Sequence, residues 1–394
     1  MSFYPQVILN SGKEHSLKRF HPWVFSGAIK KIEQEVKDGD LVEVYSAKNE
    51  FLATGHYQQG SIAVRILSFE KKEINHDFWV DKIKQAFNFR TLINLSDNKQ
   101  TNVYRLIFAE GDNLPGLIVD YYNGTAVFQA HSVGMYLARN KITDALKEVM
   151  GSKLTAVYDK SAETLPDRAA TEAKNGYLFG SSTSGQVIEN NNKFKIDWEG
   201  GQKTGFFVDQ RDSRKLLADY VKNKTVLNTF CYTGGFSVYA LNGGAKMVHS
   251  VDSSKKAMEL TDLNVSLNEK SSNHESFTAD VFSFLKDIDD KYDVIILDPP
   301  AFAKSRHVTH NAVQGYKRIN MEAMKKIKKG GILFTFSCSQ VISRPLFTNT
   351  VIAAAIEAGR TAKIIHHLSQ PADHPINIFH PEGEYLKGLV LYIE

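Results

Sequence analysis

The feature that most constrains this chain is a glycine turn between an apolar run and the start of a helix. Thr225–Phe230 is rich in β-branched and apolar residues, which predicts a buried strand. Gly234 and Gly235 then break the run, because glycine permits a tight turn and a close approach of the backbone to a ligand. Phe236–Leu241 begins a helix whose N-terminal amides would face that ligand. We therefore predict a strand–turn–helix unit with a ligand site at the turn.

A carboxylate follows this unit at the end of the next predicted strand. Met247–Val251 is that strand, and Asp252 comes directly after it, about twenty residues beyond the glycines. In doubly wound folds an acid at this place binds ribose hydroxyls. The turn lacks the three-glycine spacing of dinucleotide-binding proteins, so the two features favour S-adenosylmethionine over NAD. An ordinary turn followed by a solvated aspartate is the alternative interpretation.

Length and composition indicate the broad class of the chain. Its 394 residues exceed what one compact domain usually holds, which favours two or three domains. A hydrophobic content of 42% with 23% charged residues is typical of a soluble globular protein. The sequence shows neither a signal-peptide pattern nor an apolar run of membrane-spanning length, so we expect a cytoplasmic protein without a membrane partner. The net charge of +4 permits nucleic acid as a partner without requiring it.

Cysteine and histidine usage bears on redox and metal chemistry. The chain has two cysteines, Cys231 and Cys338, which argues against a disulfide scaffold and fits a reducing compartment. The sequence has no Cys/His cluster at metal-ligand spacing, so no metal site is expected.

Residues 1–75 have the pattern of a small β-rich domain. Short alternating or apolar runs separated by turn residues predict strands at Leu41–Tyr45, Phe51–Tyr57 and Ile62–Leu67. The preceding segment is basic and aromatic, and we interpret Lys13, Lys18 and Arg19 as contacts to RNA phosphates. For the nearby Trp23 and Phe25 we favour a position in the core of the small β-domain over a stacking role.

The rest of the chain divides into two further regions. Residues 76–193 combine helices predicted at Asp77–Leu95 and Met135–Met150 with strands around Asn123-Gly124, a strong hairpin signal, and we expect a helical linker and a small α+β domain. Residues 194–394 alternate strands and helices, which predicts a mostly parallel sheet. Ligands of such a sheet bind at the carboxyl ends of its strands.

Two more carboxylates end or closely follow predicted strands of that sheet. Asp280 is expected to approach the amino group of adenine, with Phe282 packed on the adenine ring. Asp298 begins the segment Asp298–Phe302, in which two prolines stiffen the backbone. A carboxylate held rigidly at a strand end can bind the polar edge of a flat substrate beside a cofactor. Three solvated aspartates without a common role are the alternative interpretation.

Cys338 lies after the strand that is predicted beside the one ending at Asp298. A cysteine at such a place is more often a small core residue than a nucleophile. Carbon 5 of a pyrimidine is nonetheless too weak a nucleophile to accept a methyl group unaided, and a thiolate that adds at carbon 6 activates it. We interpret Cys338 as that nucleophile and Cys231, inside the glycine turn, as a packing residue.

Several ordered motifs resemble the ribosomal RNA large subunit methyltransferase I family over essentially the whole chain. They are His21–Gly27, Lys203–Arg211, Tyr232–Phe236, Asp298–Phe302, Ser337–Ser339, Ala372–Pro375 and Pro381–Gly388. The resemblance implies a multidomain α/β protein with an N-terminal β-barrel PUA domain, a small central α+β domain and a C-terminal class I, Rossmann-like methyltransferase domain. It also implies 5-methylation of a cytosine in 23S rRNA with S-adenosylmethionine as the methyl donor.

The resemblance also assigns roles to residues of this chain. Cys338 becomes the nucleophile, and Asp298 orients or protonates the cytosine. The expected cofactor-binding residues lie near the methionine end, in the glycine turn and at the strand ends: Gln210, Arg211, Tyr232, Thr233, Gly234, Gly235, Asp252, Asp280 and Pro299. The expected partner is 23S rRNA or a precursor of the large ribosomal subunit, and a homodimer stays open.

One position departs from the wider group of RNA cytosine-5 methyltransferases. That group carries a second cysteine three residues after the equivalent of Asp298, and Ala301 stands there in this chain. The Asp-Pro-Pro-aromatic pattern also resembles methyltransferases that act on amino groups and need no thiol. Methylation of a guanine or adenine nitrogen is therefore the alternative activity. An RNA-binding protein that keeps the cofactor fold only as a scaffold is a third interpretation, which the three strand-end acids oppose.

Overall fold

The computed structural model describes residues 3–166, 173–181, 183–288, 290–303 and 306–394. Its contacts group the chain into two compact units. The first unit contains the residues up to Val187, together with Ile196–Val208 and Ala372–Gly383. The second contains Ile188–Lys195, Asp209–Pro371 and Glu384–Glu394. The chain therefore passes between the units more than once.

A six-stranded sheet forms the N-terminal part of the first unit, in the order β2-β6-β5-β4-β1-β3. Its strands are β1 (Gln6–Leu9), β2 (Trp23–Phe25), β3 (Ile29–Ile32), β4 (Leu41–Tyr45), β5 (Phe51–Tyr57) and β6 (Ile62–Ser68), with helix α1 (His15–Lys18) between β1 and β2. Neighbouring strands are antiparallel except β1 and β4, which run parallel. The predicted strands at β4, β5 and β6 are confirmed, while β1, β2 and β3 were not predicted.

The prediction that Trp23 and Phe25 enter the core of this sheet is wrong: Phe25 is 47% exposed, and Trp23 lies outside that core. Strand β2 has three residues and lies at the edge of the sheet, and its middle residue Val24 takes the buried position. The side chain of Trp23 is half-buried outside that core, and its indole N–H donates to Glu110 at 2.9 Å. Because side chains alternate along a strand, burial of Val24 turns both aromatic neighbours away from the core.

A five-stranded sheet follows in the first unit, in the order β11-β10-β9-β8-β7. Its strands are β7 (Val103–Phe108), β8 (Leu117–Tyr122), β9 (Thr125–Ala130), β10 (Ala156–Asp159) and β11 (Gly176–Phe179), and its helices are α2 (His76–Leu92), α3 (Val133–Leu137) and α4 (Arg139–Met150). The predicted hairpin is confirmed, since Asn123 and Gly124 join antiparallel β8 and β9 with positive φ angles of 43° and 103°. The single helix predicted over Met135–Met150 is instead two helices, because the backbone at Ala138 has a ψ of −3°.

A seven-stranded sheet is the centre of the second unit, in the order β16-β15-β14-β17-β18-β20-β19. Its strands are β14 (Thr225–Thr229), β15 (Met247–Asp252), β16 (His274–Thr278), β17 (Val294–Leu297), β18 (Gly331–Ser337), β19 (Ala362–Leu368) and β20 (Lys387–Ile393), and a hairpin of β12 (Gln186–Glu189) and β13 (Asn192–Lys195) precedes them. The first five strands in the order are parallel, and β20 is antiparallel to both β18 and β19. The predicted mostly parallel sheet is confirmed.

Helices connect these strands. They are α5 (Arg211–Ala218), α6 (Gly235–Asn242), α7 (Lys255–Ser266), α8 (Val281–Asp287), α9 (Thr309–Lys326) and α10 (Arg344–Ala358). Strand β17 is buried along its whole length, so its side chains join the apolar core on the two faces of the sheet. Polar side chains of this region therefore concentrate where the strands end.

A buried carboxylate stabilises the start of the second unit. The two oxygens of Glu189 accept hydrogen bonds of 2.9 Å from Nε and Nη2 of Arg214, and Arg211 lies 3.6 Å away. The Tyr239 hydroxyl on α6 also donates to Glu189 at 2.9 Å. One acid thus joins the first hairpin of this unit to helices α5 and α6.

Replacing Glu189 with glutamine should therefore destabilise the protein strongly. The amide removes the negative charge that faces two buried guanidinium groups, and breaking such a buried ion pair costs about 3–5 kcal/mol. Urea unfolding measures the change, and Glu357→Gln is the matched control, because Glu357 forms a more exposed ion pair with Lys317. The control should lose no more than about 1 kcal/mol. Equal stabilities of the two variants would contradict the assignment.

Candidate active site

The predicted glycine turn lies between β14 and α6. Gly234 has a φ of +74°, and a Cβ at this position would come within 2.7 Å of Thr261 Cγ2 on α7. Phe230 and Tyr232 also adopt positive φ angles, of 52° and 48°, which is rare for bulky residues. Glycine is therefore required at 234 by the turn and by packing against α7. A close approach of the backbone to a ligand, which the sequence suggested as the reason, stays a prediction.

Asp252 is the last residue of β15 and holds the turn in place. One carboxylate oxygen accepts the backbone N–H of Tyr232 at 3.0 Å, and the other accepts that of Ser254 at 2.9 Å. The side chain is half-buried at the carboxyl end of a parallel strand. A carboxylate with this fixed orientation retains further lone pairs that can accept hydrogen bonds from ribose hydroxyls.

Asp280 follows the end of β16 and caps helix α8. Its carboxylate accepts the backbone N–H of Ser283 at 2.9 Å, and the side chain is exposed. The ring of Phe282 already has a neighbour, because the guanidinium of Arg318 lies 4.4 Å from its centroid. The predicted contacts of Asp280 and Phe282 with adenine stay predictions.

The side-chain amide of Gln210 is buried at the start of the second unit. It is 3% exposed, and within the described residues its side-chain oxygen has no hydrogen-bond partner. Such a group needs an explanation, because an unpaired buried acceptor costs free energy. The preceding Asp209 accepts a hydrogen bond of 2.6 Å from the Tyr385 hydroxyl, whereas the neighbouring Arg211 contacts Glu189.

These residues fit a cofactor that offers ribose hydroxyls and an ammonium group. Asp252 ends β15, Asp280 follows the adjacent strand β16, and the glycine turn follows β14 on the other side of β15. The unpaired oxygen of Gln210 is an acceptor suited to an ammonium. S-adenosylmethionine carries both kinds of donor.

Asp298 and Cys338 come directly after two neighbouring parallel strands. Leu297, the last residue of β17, pairs with Thr335 of β18, and both site residues are half-buried. The hydroxyl of Ser339 donates to the carbonyl of Ala303 at 2.6 Å and so ties the two following loops together. The buried Pro299 limits the motion of the first loop. The structure thus brings together the two residues that the sequence predicted as catalytic.

Tyr316 on α9 lies near both of these residues but was not predicted. Burial raises the pKa of its hydroxyl to about 12, and the negative charges of Cys338 and Asp298 contribute to this rise. The phenol is therefore protonated at neutral pH. It can orient a group by donating a proton in a hydrogen bond, but it is a poor base.

Cys231 has a different environment from Cys338. It is buried, its sulfur lies 3.5 Å from that of Met258, and burial raises the pKa of the thiol well above its usual range. A thiol that stays protonated is a poor nucleophile. The structure agrees with the interpretation of Cys231 as a packing residue.

The predicted RNA-binding residues lie between β1 and β2. Lys13 and Arg19 are exposed, and Lys18 lies 3.6 Å from Glu50. The exposed Phe20 beside them contacts the ring of Phe379 with 5.3 Å between centroids. A basic and aromatic surface of this kind suits a phosphate backbone with unstacked bases.

A group of potential metal ligands was also missed by the sequence. His21, His380 and Glu382 lie in the first unit with their ligand atoms within 4.8 Å of one another. Sequence spacing cannot reveal such a group, because its members come from opposite ends of the chain.

Comparisons with known proteins indicate the family of this chain. A family model described as S-adenosylmethionine-dependent methyltransferase matches residues 151–379, and a PUA-like domain model matches residues 7–69. Ribosomal RNA large subunit methyltransferase I of Aeromonas hydrophila subsp. hydrophila is 41% identical, and the match covers 98% of each chain. The protein of the same name from Photobacterium profundum is 41% identical and covers 98% of this chain and 99% of its own.

Solved structures agree on the fold. A protein of Streptococcus mutans described as a SAM-dependent methyltransferase has a TM-score of 0.83 at 24% identity, covering 98% of this chain and 99% of its own. SMU.776, described as a methyltransferase complexed with SAH, gives the same values. A likeness at this identity shows the fold alone.

The strand order and the antiparallel β20, together with the two family models, define a class I S-adenosylmethionine-dependent methyltransferase with an N-terminal PUA-like domain. With the identity and coverage of its curated relatives, the chain belongs to the ribosomal RNA large subunit methyltransferase I family. The predictions of family, fold class and cofactor are therefore confirmed. Among the helices in the described part of the chain, none combines the length and apolar character needed to cross a bilayer.

Replacing Asp252 with alanine should weaken the binding of S-adenosylhomocysteine. The loss of a charge-assisted pair with the ribose hydroxyls costs about 1.5–3 kcal/mol of binding free energy. Isothermal titration calorimetry measures it, with Asp262→Ala as the control because this exposed acid lies on α7 and accepts from Ser276. An unchanged affinity of the Asp252 variant would show that another group binds the ribose.

Proposed function

We propose that this chain methylates carbon 5 of a cytosine in 23S rRNA through a covalent bond between Cys338 and carbon 6. The observation that carries the proposal is the placement of Cys338 and Asp298 after neighbouring parallel strands, at the edge where Asp252 also lies. The names of the curated relatives support ribosomal RNA of the large subunit as the substrate. A cytoplasmic location follows from that proposed substrate.

The proposed reaction changes the cytosine temporarily in two ways: carbon 6 becomes bonded to sulfur, and carbon 5 becomes nucleophilic. The Cys338 thiolate forms a bond to carbon 6, and the electron pair of the 5,6 double bond is delocalised over carbon 5 and ring nitrogen 3, which makes carbon 5 nucleophilic. Bound S-adenosylmethionine would supply the electrophilic methyl group that carbon 5 takes, with breakage of its sulfur–methyl bond and release of S-adenosylhomocysteine. A base then removes the carbon-5 proton, the double bond re-forms, and the electrons of the carbon–sulfur bond return to the thiolate.

Asp298 is proposed to hold the cytosine during these changes. A carboxyl group at this place can bond the ring nitrogen and the exocyclic amino group, which are adjacent on the polar edge of the base. A hydrogen bond to that edge stabilises the charge that develops when the thiolate adds. Pro299 and the contact of Ser339 with Ala303 support its position.

The remaining residues are proposed to bind rather than react. Asp252 accepts from the ribose hydroxyls, Gln210 accepts from the ammonium of the methionine moiety, and Asp280 approaches the adenine. The PUA-like domain contributes Lys13, Lys18 and Arg19 to RNA binding. In the same proposal residues 1–75, 76–193 and 194–394 serve as RNA-binding, central and catalytic domains.

Replacing Cys338 with serine should abolish methyl transfer while RNA and cofactor still bind. A serine hydroxyl is too weakly acidic to supply the anion that a thiolate supplies near neutral pH. The wild-type protein should also form a covalent adduct with RNA that carries 5-fluorocytosine at the target, because fluorine cannot leave as a proton. Mass spectrometry of the protein–RNA complex detects the adduct.

The matched control for this experiment is Cys231→Ser, which should keep both the adduct and the activity because Cys231 is a buried packing residue. If Cys338→Ser methylates at a rate close to wild type, the nucleophile is wrongly assigned. Methylation of a base nitrogen by the Asp298–Phe302 motif, the alternative that Ala301 keeps open, would then be favoured. Nucleoside analysis of the product separates the two activities.

Replacing both Lys13 and Arg19 with alanine should weaken RNA binding and reduce its dependence on salt. Each lost phosphate contact lowers the salt slope by about 0.7–0.9. Fluorescence anisotropy with an rRNA fragment over a salt series measures affinity and slope together. Lys30→Ala with Lys48→Ala is the control, since both lysines are exposed in the same domain and the change in net charge is equal. Equal salt slopes for the two double variants would contradict a specific role of Lys13 and Arg19 in RNA binding.

A further inference from the structure

Lys387 contacts the residues on both sides of Cys338. It is the first residue of β20, and it pairs with Ser337, the last residue of β18. Its ammonium donates to the carbonyl of Ser339 at 2.7 Å and to that of Tyr385 at 2.6 Å. The side chain is 3% exposed, so the charge lies inside the protein rather than in solvent.

A buried ammonium needs a reason, because desolvation favours its neutral form. The pKa of Lys387 is lowered to about 8, mainly by burial and also by the positive charge of Arg344. The negative charges of Cys338 and Glu384 raise this pKa, but not enough to cancel the effect of burial. Since about 8 lies above neutral pH, most of the lysine stays charged there. The charge of Lys387 therefore acts on Cys338 near neutral pH.

Other ionisable groups also face Cys338 and act on it differently. Asp298 follows the neighbouring strand, and its negative charge disfavours a second negative charge nearby. Tyr316 stays neutral because its pKa is raised to about 12. A positive charge beside Cys338 is thus needed to offset Asp298 if a thiolate is to form.

We propose that Lys387 is a positioning residue that favours the thiolate of Cys338 and holds the loop around it through the carbonyl of Ser339. The inference rests on the nucleophilic role proposed for Cys338. The proton lost from the thiol goes to solvent, and the ammonium keeps its own proton throughout. Lysine suits this task because its ammonium can bond two carbonyls while remaining a compact charge.

The rate of alkylation of Cys338 by iodoacetamide tests the proposal without RNA or methyl donor. Cys231→Ser is the background, because it leaves Cys338 as the single thiol of the chain. In this background Lys387→Gln keeps a hydrogen-bond donor but removes the charge. We expect its pH profile to move to higher pH and its rate at neutral pH to fall about tenfold, as the thiolate fraction falls.

Two further variants separate charge from structure. Lys387→Arg retains the charge and should restore most of the reactivity at neutral pH. Lys160→Gln is the matched control, because Lys160 is a buried lysine of the first unit that also donates to two backbone carbonyls, those of Trp198 and Gly201. It should leave the alkylation profile of Cys338 unchanged. A profile of Lys387→Gln equal to that of the background, with S-adenosylhomocysteine binding retained, would overturn the proposal.

A reciprocal measurement decides the matter if Lys387→Gln does not fold. Coupling between two sites acts equally in both directions, so loss of the thiolate in Cys338→Ser should make Lys387 deprotonate at lower pH. NMR titration of the lysine side chains, with the Lys387 signal identified by its loss in Lys387→Arg, measures this change. An unchanged titration would overturn the proposal.

The outcomes for Lys387 and for the proposed function are distinguishable. A shifted alkylation profile without any 5-fluorocytosine adduct would show that Lys387 activates a thiol that is not the nucleophile of methyl transfer. An adduct together with an unshifted alkylation profile would support Cys338 as the nucleophile and would contradict a role of Lys387 in activating it.

Discussion

Backbone hydrogen bonding across the seven-stranded sheet determines where the functional side chains of this protein can lie. The inner strands are covered on both faces, so an unpaired polar group in the middle of a strand would be buried without water. Polar groups inside these strands are partly satisfied by neighbours: the amide N–H of Asn228 donates to Ser237 on α6, and the hydroxyl of Thr229 donates to the carbonyl of Ile296 on β17. The side chains that we propose to meet a ligand, such as Asp252 and Asp298, consequently lie at the ends of strands.

This constraint explains why much of the methyltransferase domain could be predicted from its sequence. Apolar β-branched runs give the strands, and the residue after each run falls at the same edge because the strands are parallel. Asp252, Asp298 and Cys338 are found at those strand ends. Local patterns are less informative on short edge strands. Phe25 was placed in a core although one buried residue, Val24, suffices to hold a three-residue strand.

What the sequence could not show depends on pairing between distant segments. The neighbourhood of Lys387 follows from the antiparallel register of β20 on β18, which no local pattern encodes. Tyr316 reaches the site from a helix whose periodicity predicts only that the residue is buried. Likewise Ala372–Gly383 packs with the first unit although the residues on both sides of it belong to the second.

The neighbourhood of Cys338 bears on how the proposed reaction proceeds without a second cysteine. Addition and elimination of the same thiol pass through the same kind of transition state in opposite directions, so a group that stabilises the thiolate before addition also stabilises it as a leaving group. On our proposal the ammonium of Lys387 does both. Elimination then requires no second thiol at position 301, where this chain has alanine. The step still to be assigned is the removal of the carbon-5 proton. Tyr316, which is protonated at neutral pH, is unsuited to that step. On our proposal Asp298 already bonds the polar edge of the cytosine, and Cys338 is bonded to carbon 6 at this stage, so water is left as the base for that step.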